Sequence, residues 1–174
     1  MVLPAHIAAS LAGTWLFLNQ TSHVTSFQSP HPCTDFNGNP ATPNIPLGSR
    51  PFGQLIYDAR GYMSASMTST DPEDIPTRRP SNATTDDFAL IAQRILAYAG
   101  ELHVAWENST ATEGKLIHGP LSMATRWDWL GANQSRNYLL TRNATETGGR
   151  DVLHLWTRGE SSIGRLWWVR ADST

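Results

Sequence analysis

Hydrophobic and polar residues alternate with period two along most of the chain, in short runs separated by turn residues. That pattern predicts antiparallel strands with one buried face. A short apolar helix over 4–10 leads into a first strand at 14–20. Runs at 53–58 and 61–68 form a hairpin around Ala59-Arg60, and further runs follow at 102–107, 115–126, 136–142, 152–158 and 166–170. Together they make eight strands, the number at which a closed antiparallel barrel holds packed side chains or one small ligand.

One segment breaks the alternation. Thr84 or Thr85 can cap a helix whose first turn carries Asp86 and Asp87, favourable at the positive end of the dipole. Phe88, Ile91, Ile95 and Leu96, with Ala92 and Ala99, form an apolar stripe at helical spacing, and Gly100 ends it. A helix over about 84–99, lying across one barrel opening, is expected. Two Pro-rich connections, 27–51 and 69–83, complete the outline; the first holds six of the eleven prolines, and loops of that length are often lids or binding loops.

The chain has 174 residues, enough for one domain with a sizeable core, so the whole of 1–174 is read as one unit. Only 16% of residues are charged and the net charge is −2, which argues against a nucleic-acid or anionic-membrane partner. A single cysteine, Cys33, excludes an internal disulfide and any Cys-based zinc cluster, and no base stands beside it to activate it. No apolar stretch reaches the ~18 residues that a membrane span needs. The N-terminal 18 residues lack the basic start of a signal peptide, so a cytoplasmic location is expected. Five Asn-x-Ser/Thr triplets, at Asn19, Asn82, Asn108, Asn133 and Asn143, leave a glycosylated, secreted carrier as a minor alternative.

Three blocks carry a family resemblance. Gly13-Thr14-Trp15 opens the first strand while Trp168-Val169-Arg170 closes the last. Gly53-Gln54-Leu55-Ile56-Tyr57 leads to Gly61-Tyr62-Met63-Ser64-Ala65. His118-Gly119-Pro120-Leu121 is followed by Trp129-Leu130-Gly131 and Asn133-Gln134-Ser135-Arg136-Asn137-Tyr138. In this order, from Leu11 to Arg170, they resemble the lipocalin-like domain family, in particular its fungal branch. The resemblance implies a small all-β, eight-stranded lipocalin-like barrel whose base is closed by the first-strand Trp packed on the late Arg. It further implies a hydrophobic small-molecule ligand and a setting in natural-product biosynthesis, where some small barrels act as cofactor-free cyclases or isomerases.

Phosphate loops, dinucleotide fingerprints and nucleophile elbows are absent from the sequence. The six histidines show no metal-ligand spacing, so neither metal nor cofactor is expected. Chemistry then rests on side-chain acids and bases. His118 precedes Gly119-Pro120, where proline disturbs the strand ladder and can aim the imidazole into a cavity. The alternative is a histidine that holds the bulge through a carbonyl. Arg136 and Tyr138 share one strand face; the arginine can stabilise an enolate or phenolate oxygen, and the tyrosine can relay a proton. Equally, Arg136 can be structural, satisfied by carbonyls.

Tyr62, Ser64 and Ser66 lie on one face of their strand and Met63, Ala65 and Met67 on the other, and the sequence does not say which points inward. Tyr62 is taken as a catalytic candidate and Ser64 as a contact. His103 and His154 with Trp156 pose the same question. Trp106, Trp127 and Trp129 offer flat indole surface for a polycyclic ligand, and Tyr57 and Asn133 complete the candidate substrate contacts. Asp128 is read as a turn residue. The leading expectation is a cofactor-independent isomerase or cyclase, with water elimination as a variant, acting on a polyketide- or terpenoid-derived intermediate. His118 would move the proton, Arg136 would hold developing charge, and Tyr62 or Tyr138 would orient or protonate. The alternative is a non-catalytic carrier of the same kind of compound; a homodimer is compatible with either.

Overall fold

The computed structural model describes residues 3–24, 47–104, 109–158 and 162–172, with the side chains of 21–24 and 162 outside that description. Most of the 27–51 loop, Cys33, Trp106 and Asn108 lie outside the described residues. In chain order the elements are α1 (Ala5–Leu11), β1 (Gly13–Val24), β2 (Pro51–Asp58), β3 (Tyr62–Ser69), α2 (Thr85–Gln93), β4 (Ile95–Val104), β5 (Glu113–Ala124), β6 (Gln134–Ala144), β7 (Arg150–Arg158) and β8 (Ser162–Arg170). Each strand pairs antiparallel with its sequence neighbour, and β1 pairs with β8 to close the barrel. The eight-stranded antiparallel barrel expected from the alternation is what the chain forms.

The alternation also sets the two faces. Leu55 and Tyr57 of β2, Met63, Ala65 and Met67 of β3, and Leu153 and Leu155 of β7 are all buried, while their sequence neighbours turn outward. These apolar positions, with Leu102, Leu116, Leu121 and Trp168, make one interior core. Burying a side chain of this size contributes roughly 1.5–3 kcal/mol each.

The end of the barrel where β1 begins is plugged. Ile7, Ala8 and Leu11 of α1 are buried, and the Trp15 indole donates to the Leu11 carbonyl at 2.9 Å. The Arg170 guanidinium lies 4.0 Å from the Trp15 ring centroid and donates to the carbonyls of Ser10 and Ala12. It thereby satisfies acceptors that a helix C-terminus leaves open, with a cation where the dipole favours one. Arg170 also reaches Asp151 at 3.2 Å. This is the Trp–Arg closure that the first- and last-strand motifs implied.

The opposite end carries the β3–β4 and β5–β6 connections. α2 stands in the first of these and is shorter than the stripe predicts, ending at Gln93. A capping box starts it: the Thr84 backbone N–H and hydroxyl both donate to Asp87, at 2.7 and 2.8 Å. Residues 95–99 belong to β4 instead, with Ile95 opposite Thr68 and Leu96 opposite Met67. Ladder pairing with β3 overrides the local helical spacing, and the remaining stripe is left in solvent, with Phe88 61% and Ile91 46% exposed.

Candidate functional site

Two glycines shape the wall around His118. A Cβ on Gly100 of β4 would stand 2.5 Å from the Pro120 carbonyl oxygen, and one on Gly119 would stand 2.5 Å from that of Ala132. The β4–β5 register shifts on both sides of Gly100. Only glycine permits these approaches, and the resulting irregularity lets β5 present His118 to the interior, as the Gly-Pro step predicted.

His118 is fully buried. Its Nε2 lies 2.8 Å from the Tyr57 hydroxyl and its Nδ1 lies 3.5 Å from the Tyr98 hydroxyl. Tyr98 in turn is hydrogen-bonded by the Arg136 guanidinium. Arg136 sits opposite the buried Leu116 and on the same face of β6 as buried Tyr138 and Leu140, so it faces inward, half-buried. The four side chains form a polar chain through an otherwise apolar interior. It starts near the plugged end at Tyr57, late in β2, and finishes near the other end at Arg136, early in β6. At that finish Trp129 packs edge-on against Tyr98, with centroids 5.4 Å apart, and under the Arg136 guanidinium at 5.7 Å.

Burial dominates the electrostatics. It pushes the His118 pKa down to about 3, helped by the positive charge of Arg136. Burial also raises Tyr57 well above its usual value, and raises Tyr98 against the opposing pull of Arg136. At neutral pH the cluster is therefore a neutral imidazole and two neutral phenols beside one cation. Its hydrogens can run in either direction between Tyr57 and Tyr98, because each nitrogen of the ring faces a hydroxyl. The arrangement can pass a proton along the chain, and it can hold an oxygen that gains negative charge near Arg136.

Of the residues singled out from sequence, the structure brings together His118, Arg136, Tyr57 and Trp129. Tyr138 shares the interior face, but its hydroxyl donates to the Thr110 carbonyl near the plugged end, and burial raises its pKa to about 12. Tyr62 is 59% exposed and shares the outward face of β3 with Ser64; the methionine face is the interior one. His103 points outward and pairs with Glu101 at 2.9 Å. His154 stacks between Trp156 and Trp167, at 4.7 and 4.6 Å, on the outer surface. Trp127 is 88% exposed, and Asn133 is exposed beside Gly119. Asp128 holds Arg126 through two contacts, at 3.1 and 2.6 Å.

Tyr98 is the member that the sequence reading missed. Its signal was present as the alternation Leu96, Tyr98, Gly100, Leu102, Val104, overlaid by the helical stripe that ends at Ala99. Among the described residues no three His, Cys, Asp or Glu side chains converge as a metal site. No described helix is long and apolar enough to cross a membrane.

A family model described as a lipocalin-like domain matches residues 33–171, most of the chain. No curated protein matches it significantly.

Proposed function

The chain belongs to the lipocalin-like domain family, whose barrel points to binding of a small hydrophobic ligand, and we propose that this one isomerises or cyclises such a ligand without a cofactor. The substrate of this reading is a polyketide- or terpenoid-derived intermediate. The supporting observation is the chain of Tyr57, His118, Tyr98 and Arg136 inside an interior that is otherwise mostly aliphatic and aromatic. A substrate carbonyl beside Arg136 gains an electrostatic partner for the charge that develops when a neighbouring C–H ionises, a contribution often worth several kcal/mol. An imidazole titrating at about 3 is a weak acceptor, so it holds a proton only transiently. The Tyr98 oxygen takes the proton from the C–H as Tyr98 passes its own to His118, and the reverse transfer delivers a proton to another carbon of the same substrate, leaving the protein unchanged. Apolar walls fold the substrate into a reactive conformer, and such positioning supplies much of a cyclisation barrier.

The test pairs the purified protein with extract from a strain lacking the gene. Conversion of an accumulated compound to a product of unchanged mass is expected, falling ~10²-fold or more in Arg136→Met and at least ~10-fold in His118→Gln. A loss of one water would identify a dehydratase on the same barrel. Full activity in both variants would remove the cluster from the mechanism. One observation favours a carrier instead: both His118 ring nitrogens already face protein hydroxyls. Saturable binding of the same compound, with no conversion, would establish that second reading.

A further inference from the structure

The Trp129 ring has two guanidinium groups near it, Arg126 at 5.0 Å and Arg136 at 5.7 Å from its centroid. Arg126 has its counter-ion, the bidentate Asp128. Arg136 has none among the described residues: its neighbours are the Ser135 carbonyl at 2.8 Å, the Tyr98 hydroxyl and the indole face. Arg170, the guanidinium on Trp15 at the plugged end, is likewise neutralised by Asp151. Arg136 is thus a half-buried, inward-facing cation whose own contacts, a carbonyl, a phenol and an indole face, are all uncharged. A desolvated charge of this kind is costly until an anion joins it, and a planar guanidinium beside a hydroxyl matches the two oxygens of a carboxylate.

Building on the hydrophobic-ligand reading above, we infer that the ligand is a lipophilic acid whose carboxylate, or equally acidic enol, docks between Arg136 and the Tyr98 hydroxyl. Trp129 would lie against the atoms next to that head group, and the apolar tail would enter among Leu55, Met67 and Leu121. Selection of the anion then comes from the uncompensated, inward-facing charge of Arg136, while the walls supply tail affinity that is blind to the head group.

Dodecanoate and dodecanol share a tail and differ at the head. Titrated into the full chain at pH 7.5 and followed by calorimetry, the acid is expected to bind about tenfold or more tightly than the alcohol, the range of one charge-assisted contact. Arg136→Gln should remove that preference while leaving dodecanol affinity within about twofold. Arg165→Gln deletes the same formal charge from the outer face and should keep the preference. Equal binding of acid and alcohol by the unaltered protein would overturn the inference and leave the hydrophobic-ligand reading standing. A preference that survives Arg136→Gln would overturn it as well, since the charge would be elsewhere. Binding of neither probe would overturn the underlying reading and this inference together.

Discussion

Two tryptophan–arginine pairs stand at opposite ends of the barrel. At the plugged end Trp15 is fully buried, its N–H is bonded, and Arg170 lies over the ring with two carbonyls at the end of α1 and Asp151 as partners. At the other end Trp129 is half-buried, and Arg136 lies 1.7 Å further from its ring than Arg170 does from Trp15, with no carboxylate among the described residues. The same residue types therefore do different things. The first pair spends its hydrogen-bonding capacity inside the fold, so it stabilises. The second keeps some capacity unused, which a structural role does not require.

Truncating the indoles should separate the ends most sharply. Trp15→Ala is expected to cost about 3–5 kcal/mol, the usual range for a large buried aromatic, whereas Trp129→Ala should cost about 1 kcal/mol or less; urea unfolding at neutral pH measures both. A similar loss in both would mean that the two ends are equally structural.

Acid should come next in size, through His118. Its folded pKa of about 3 lies below the unfolded value of 6.5, so its contribution is whole above pH 6.5 and shrinks as pH falls towards 3. At pH 4.5, two units below the unfolded value, the loss is about 3 kcal/mol. His118→Gln should remove that part of the slope. Asp71 and Asp87, held low by their hydrogen bonds, add an acid-side slope common to both proteins, which the difference cancels. Parallel stability profiles from pH 7 to 4.5 would contradict a buried neutral imidazole.

The arginines give the smallest effect and the finest contrast. Arg170→Met strips α1 of two donors and Asp151 of one partner, and should cost about 2 kcal/mol. Arg136→Met should leave stability unchanged or raise it by up to about 1 kcal/mol, because it removes a half-buried charge with no carboxylate to compensate it and gives up only hydrogen bonds to uncharged partners. Denaturant midpoints for the two variants decide it.

The barrel was legible because alternation at β2, β3, β6 and β7 is regular and its partners lie next in sequence. Legibility failed where two periods coincided. Ile91, Ile95, Leu96 and Ala99 satisfy a helical stripe, while Leu96, Tyr98, Gly100 and Leu102 satisfy a strand. Pairing of 95–101 with β3 decides between them, and that is information about another part of the chain. Gly100, read as a helix stop, is in fact where β4 passes against the Pro120 carbonyl.

The same limit explains the site. His118 was visible because Gly119-Pro120 marks a local irregularity, and Arg136 because it shares a face with Tyr138. Which face of β3, β4 or β7 turns inward follows from barrel closure, so Tyr62, Ser64, His103, His154 and Trp156 could not be assigned from spacing alone. Once closed, the barrel puts the apolar face of β3 inside, since the Met63, Ala65 and Met67 side chains leave water at little polar cost.

The Trp15–Arg170 plug also has a consequence in time. Its halves come from the first and last strands, so during synthesis Trp15 and α1 emerge long before the residue that completes their packing. Hairpins β2–β3 and β6–β7 can form from neighbouring sequence, but sealing of the base waits for β8. Contacts of such long sequence separation are the slow ones in folding. The base of the barrel is thus among the last parts to be made, and until then the nascent chain carries a large aromatic without the guanidinium that completes its packing.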